Sequence, residues 1–180
     1  MKAILISAIL LFCWAPGIQA QSNDAIDDAN EETRNWRYEI ECEGVGQQGI
    51  FIIKVYSYSR RKDVAIEQAK KNAIHGVIFK GIPSGKQGCV SQPALARSSN
   101  LEEQKRDYFN SFFREGGKYM KFVNLTTDGA VKASDRYVVG GRGLFRRKQY
   151  KIGVLVSVNV ARLRQELEDA GVIKKLSSGF

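Results

Sequence analysis

Histidine, cysteine and proline are scarce in this 180-residue chain, which holds one, three and three of them. A single histidine leaves little from which to build a His-rich metal site or a Ser-His-Asp triad. No Cys-x-x-Cys occurs, which argues against thiol redox catalysis. Neither G-x-G-x-x-G nor the P-loop pattern is present, so no nucleotide fingerprint stands. After the first twenty residues no apolar run approaches the roughly 18 needed to cross a bilayer. Acidic residues are outnumbered, 19 against 28 Lys and Arg. What is present is enough to fold: 43% hydrophobic and 10% aromatic residues exclude wholesale disorder and suit one domain. The expectation is a basic, soluble, exported domain.

The N-terminus carries the export signal. Met1 and Lys2 give a short positive start, Ala3 to Trp14 an apolar run, Pro16 and Gly17 a break, and Ala20 a small residue before Gln21. This is the pattern of a secretory signal peptide over residues 1–20. Cys13 is not a lipid anchor, because Leu11 and Phe12 stand where a lipobox needs small residues. Residues 21–35 form an acidic flexible leader with Asp24, Asp27, Asp28, Glu31 and Glu32. From Thr33 onward 27 basic residues face 14 acidic ones, a net of +13.

Residues 36–180 read as a single α+β domain, a mainly antiparallel sheet of about five strands with two or three helices packed on it. Trp36 to Glu43 alternates, with Trp36, Tyr38, Ile40 and Cys42 opposite Glu39, Glu41 and Glu43. Ile50 to Tyr58 is β-branched and aromatic, and the two make a hairpin. Ser59 is placed to cap a helix from Arg60 whose apolar stripe is Ile66, Ala69, Ala73, Ile74, Val77 and Ile78. Glu67, Gln68, Lys70, Lys71 and Asn72 fall on its other face. Lys80 to Ser99 is an irregular loop, and a loop of that length is usually functional or mobile. Asn100 and Glu103 make a capping pair for a second helix, which ends at Gly116 and Gly117. Strands follow at Tyr119–Leu125, Arg136–Val139 and Tyr150–Val160. Gly153 and Ser157 leave room for a neighbour on the outer face of the last. A final helix stops at Gly171, with Val172 set for a Schellman contact.

Few constellations carry chemistry. Cys42 and Cys89 are the two cysteines left after the leader, and an oxidising compartment favours a disulfide over two free thiols. His75 lies near the Lys71 side of its helix, and an exposed surface histidine is the better reading than a general base. Glu39, Glu41 and Glu43 suit pairing with Lys54 across the hairpin better than a calcium site. Glu102 and Glu103 read as favourable first-turn charges. Asn124-Leu125-Thr126 is a formal glycosylation triplet of little weight. Arg142, Arg146, Arg147 and Lys148, with Lys151 beside them, crowd the Gly140–Gly143 loop and the strand after it. Together with Arg60, Arg61 and Lys62 they form either a solvated basic face or a surface that attracts anions.

Ala65 to Pro83 (AIEQAKKNAIHGVIFKGIP), preceded by a hairpin, resembles small exported envelope proteins of Gram-negative bacteria. The families concerned are the LPP-type outer-membrane lipoproteins and the N-terminal domain of the flagellar T-ring assembly protein. Tyr150 to Leu176, a Val-rich strand leading into an Arg/Glu helix, is similar to secreted proteins of the same kind. The lipoproteins' anchoring Cys has no counterpart here. The resemblance implies a non-enzymatic envelope domain that assembles with other proteins, and it supplies no site residues. The expected role is structural, assembly or adaptor, in the periplasm, at the outer membrane or secreted. No cofactor, nucleic acid or membrane span is expected, and homo-oligomerisation is compatible with this reading. The partner is an envelope protein or an anionic envelope polymer held by the basic loops. The alternative is a carboxylate-dependent hydrolase acting on a cell-wall or polysaccharide substrate, recognisable by two carboxylates facing one another about 5 to 9.5 Å apart.

Overall fold

The hairpin predicted at the start of the body forms the first half of a five-stranded antiparallel sheet. In the computed structural model, which describes residues 36–86, 88–126, 130–139 and 148–175, β1 (Tyr38–Val45) pairs with β2 (Ile50–Ser59). The central partner of β2 is β5 (Gln149–Asn159), whose far edge carries β3 (Val123–Leu125) and β4 (Arg136–Val139). The inner face presents Ile53, Val55, Ile152, Val154, Val156 and Val158, all fully buried. The fold is a single α+β domain, as the alternation and the helical period predict. No helix among the described residues is long and apolar enough to cross a membrane.

The outer face is polar and cross-linked. A bulge between Cys42 and Gly44 turns Glu43 toward Lys54, 3.2 Å away, and Lys54 also donates to Asp135 at 3.1 Å. The predicted pairing of the glutamate row with Lys54 is therefore made through Glu43. Glu39 accepts from Tyr58 and from Lys151, the latter at 2.6 Å. Gly153 lies under the Tyr56 ring, and a Cβ there would stand 2.7 Å from it. That is the neighbour for which the sequence left room.

Helix α1 (Lys62–Phe79) crosses the inner face, its alanines 65, 69 and 73 fully buried. Its formal cap position is Arg61, whose N–H donates to Ser59 Oγ at 3.1 Å. The face assigned to solvent is also buried: Gln68, Lys71, Asn72 and His75 are all covered. Asn72 faces the sheet, bonding Ser57 Oγ at 2.9 Å, and His75 is covered by Trp36, Tyr38 and Glu102. The 80–99 segment runs back over α1, with Leu95 and Ala96 donating to the carbonyls of Val77 and Ile78. Ile82 and Gln92 bridge one another at the base of that segment, and Cys42–Cys89 ties it to β1 with 6.0 Å between Cα atoms. A Cβ on Gly81 would lie 2.3 Å from Gln92 O, at φ +80°, so only glycine closes the turn.

Three predicted elements differ. The helix expected from Asn100 breaks at Lys105 into α2 (Leu101–Gln104) and α3 (Arg106–Phe113). Asn100 makes no side-chain cap; its side chain accepts from Ser98 instead. The strand expected over Tyr119–Leu125 shrinks to β3, because Lys118–Phe122 winds as a 3-10 turn. A spacing of three brings Tyr119 and Phe122 to one side, and both are buried, whereas alternation would have split them. Trp36, predicted as the first strand residue, has φ +43° and precedes β1. The closing helix α4 (Val160–Asp169) ends as predicted: Val172 N–H bonds Leu167 O and Gly171 N–H bonds Glu168 O.

Candidate binding cleft

A broad concavity lies above α1, where the start of the body, α2 and α3 meet it. Its volume is about 830 Å3, and Trp36, Lys71, Glu102, Arg106, Phe113 and Arg114 are among its lining. Glu67, Lys71 and His75 succeed one another at i, i+4 spacing on α1, which stacks them one turn apart along one face. The break at Lys105 lets Glu102 turn back toward His75 while Phe109, Phe112 and Phe113 remain in the core.

His75 is the centre of a closed network. It is 4% exposed, against the surface position predicted for it. The Trp36 ring stacks on it at 3.7 Å, inclined by 16°. Tyr38 OH lies 2.6 Å from Nδ1 and Glu102 Oε2 lies 3.3 Å from Nε2. Trp36 Nε1–H donates to Glu102 Oε1 at 3.0 Å. One assignment satisfies every atom: Tyr38 donates to Nδ1, and Nε2–H donates to Glu102. Burial, with the Lys80 ammonium nearby, pulls the imidazole down to about 3, so it is neutral at ordinary pH. Burial also pushes up Tyr38 and Glu102, although the Trp36 bond works the other way on Glu102.

The arrangement resembles a catalytic relay in its connectivity and differs from one in its access. Tyr38 occupies the place of a nucleophile, yet it is 7% exposed and its hydroxyl is spent on His75. Geometry of this kind anchors Trp36 and α2 onto α1. Among the cleft's other charged groups, the exposed ones lie at its rim. Lys71 is 7% exposed, and burial pulls its amine down to about 8 against the favourable field of Glu115. Arg106 pairs with Glu103 at 3.3 Å at the rim, and Arg114 is exposed.

The residues predicted to meet a partner lie elsewhere. Arg60, Arg61 and Lys62 are exposed at the start of α1, where Arg61 pairs with Asp63 at 2.5 Å. The pairing of Ser59 with Tyr150 brings that start to the same end of the sheet as the exposed Lys148. Arg142, Arg146 and Arg147 lie outside the described residues. Among the described residues no group of three or more His, Cys, Asp or Glu side chains gathers for a metal ion. Sequence reasoning missed Trp36, Lys71 and Glu102 as neighbours. The one available signal was the i, i+4 series on α1, which a solvated face explains equally well. Comparison with protein-family models, characterised proteins and solved structures finds no match to this chain.

Proposed function

We propose that this is an exported cell-envelope protein whose task is binding, in a structural, assembly or adaptor role, and that its partner is anionic. The observation that carries the reading is the exposed basic end of the sheet, marked by Arg60, Lys62 and Lys148, on a body of net +13, while the only histidine is consumed by internal bonds. The apolar leader, the resemblance to envelope proteins and the +13 body support export and an anionic partner. The Cys42–Cys89 bridge and the lack of a membrane-crossing helix among the described residues are compatible with export as a soluble protein.

A carboxylate hydrolase is the second reading, because Glu102, Glu103 and Glu115 line the cleft above α1. Binding is favoured over it: both Glu102 oxygens accept from Trp36 and His75, and Glu103 is paired with Arg106. The test is pull-down from envelope extract, together with co-sedimentation on purified lipopolysaccharide. Recovery at low salt that declines as salt rises supports the proposal, since screened attraction weakens with ionic strength. No recovery at low salt overturns it. Release of reducing ends from cell-wall polymer, abolished in Glu102→Gln, would establish the hydrolase instead.

A further inference from the structure

Resting on that reading, we infer that the acidic stretch 21–35 is a tethered competitor for the basic end of the sheet, occupying it until the anionic partner displaces it. The seat is a cluster of cations around the start of β5. The pairing of Ser59 with Tyr150 sets Arg60 beside that start. The Lys62 ammonium stands 5.8 Å from the centre of the Tyr150 ring, and Lys148 directly precedes Gln149. Arg61 spends its charge on Asp63, whereas Arg60, Lys62 and Lys148 are exposed and enter no ion pair among the described residues.

The acidic stretch joins the domain at the same place. Arg37, two residues after it, donates to Gln149 Oε1 at 3.2 Å, and its guanidinium lies 4.2 Å over the Tyr58 ring. Residues 21–35 hold five acids against the single Arg34, a net of −4, and Arg37, Arg60, Lys62 and Lys148 offer four positive charges to meet them. Glu32 stands five residues before Arg37, a reach of roughly 17 Å for extended chain; Asp24, thirteen residues before it, has a reach of roughly 45 Å. The neighbouring outer sheet face offers no rival seat, because Lys151 is paired with Glu39 and Lys54 with Glu43 and Asp135. Single exposed ion pairs are weak, but a short tether holds the acids at high effective concentration, and several pairs act together.

The experiment compares the disulfide-bonded protein, residues 21–35 included, with a variant carrying Asp24→Asn, Asp27→Asn, Asp28→Asn, Glu31→Gln and Glu32→Gln, which keeps size and removes charge. Titrated with purified lipopolysaccharide at low salt, the variant is expected to bind at least threefold more tightly than the parent, the gap closing as salt rises. With Arg60→Ser, Lys62→Ser and Lys148→Ser added to both proteins, the gain should largely vanish, because the seat is gone. An equal gain there would reduce the effect to net charge and overturn the inference. Amide NMR reads the seat directly: neutralising the stretch should move the amides of residues 59–62 and 148–151 and leave those of α4 in place. No movement, or movement spread evenly over the domain, overturns the inference, as does unaltered lipopolysaccharide binding in the five-residue variant. Movement that grows with protein concentration would seat the stretch on a second copy and overturn the tethered arrangement. If lipopolysaccharide is held and the amides stay still, the competitor falls and the anionic-partner reading stands. If neither protein holds lipopolysaccharide, that reading falls and the competitor with it.

Discussion

His75 is neutral because burial removes the water that would solvate an imidazolium, and that neutrality couples the fold to pH. In the unfolded chain an imidazole takes up its proton near 6.5, whereas in the native protein protonation waits until about 3. The unfolded state therefore binds more protons between these values, and stability falls as pH drops through them. The full contribution is up to about 5 kcal/mol, complete above the unfolded value and lost toward pH 3. Urea midpoints measured between pH 7 and 5, above the range of most carboxylates, should decline for the parent. They should decline markedly less for His75→Gln. Parallel slopes would show that the imidazole does not carry the dependence. Lys54 poses the opposite case. Burial disfavours its ammonium, yet bonds to Asp135 and Glu43 more than compensate, and its pKa is raised. With the Lys54 side chain 12% exposed, Lys54→Met leaves Asp135 without its cation, while Glu43 keeps only Lys86. The expected loss is roughly 2 to 3 kcal/mol by chemical denaturation, partly restored by adding Asp135→Asn. No loss in the single variant would mean that water already screens the site.

At the scale of elements, α1 departs most from its pattern. An amphipathic helix on a sheet exposes one side, but here twelve of its residues are buried, polar ones among them. Asn72 donates to Ser57 Oγ at 2.9 Å beneath it, and the Phe79–Phe109 ring contact at 5.0 Å closes its far end. The covering segment has few apolar residues of its own, so its attachment depends on backbone bonds and on the Cys42–Cys89 bridge. The bridge spans 47 positions, and in the chain-entropy model a loop of that length contributes about 4 kcal/mol. Cys42→Ala with Cys89→Ala should lose about that much. Hydrogen exchange should show residues 81–96 opening ahead of β2 and β5, since local stability follows local anchoring. Uniform exchange across the variant would place the covering segment in the same cooperative unit as the sheet.

For the whole molecule, the question is how a body of net +13 uses its charge. The described outer sheet face neutralises itself through Glu39–Lys151 and Glu43–Lys54–Asp135. Excess positive charge remains at the end of the sheet marked by Arg60, Lys62 and Lys148, all exposed. Replacing Arg142, Arg146, Arg147 and Lys148 with Ser should shift stability by no more than about 0.5 kcal/mol, as for surface charges away from caps and cores. Capture of envelope polymer should weaken and lose most of its salt sensitivity. A quadruple variant that binds as well as the parent at every salt concentration would remove the basic end from the function.

The sequence by itself determined the elements whose signal is one face against another. The alternation of Tyr38, Ile40 and Cys42, the valine row of β5, and the Gly171–Val172 stop are local patterns, and each formed as read. The cysteine pair was legible from the count, two cysteines remaining after the expected leader. Only the tertiary structure decided what lies on top of α1. Periodicity reports which side of a helix leaves water for its first neighbour; it carries no mark of a second neighbour arriving from the other side. His75 therefore looked solvated until Trp36, Tyr38, Glu102 and Phe113 closed around it. The same holds for polar partners distant along the chain, such as Trp36 with Glu102 and Lys54 with Asp135, separated by 66 and 81 positions. A charged or aromatic side chain that finds its partner at such separation leaves no period behind. The cleft is made of such encounters, so the sheet could be read from the sequence and the site could not.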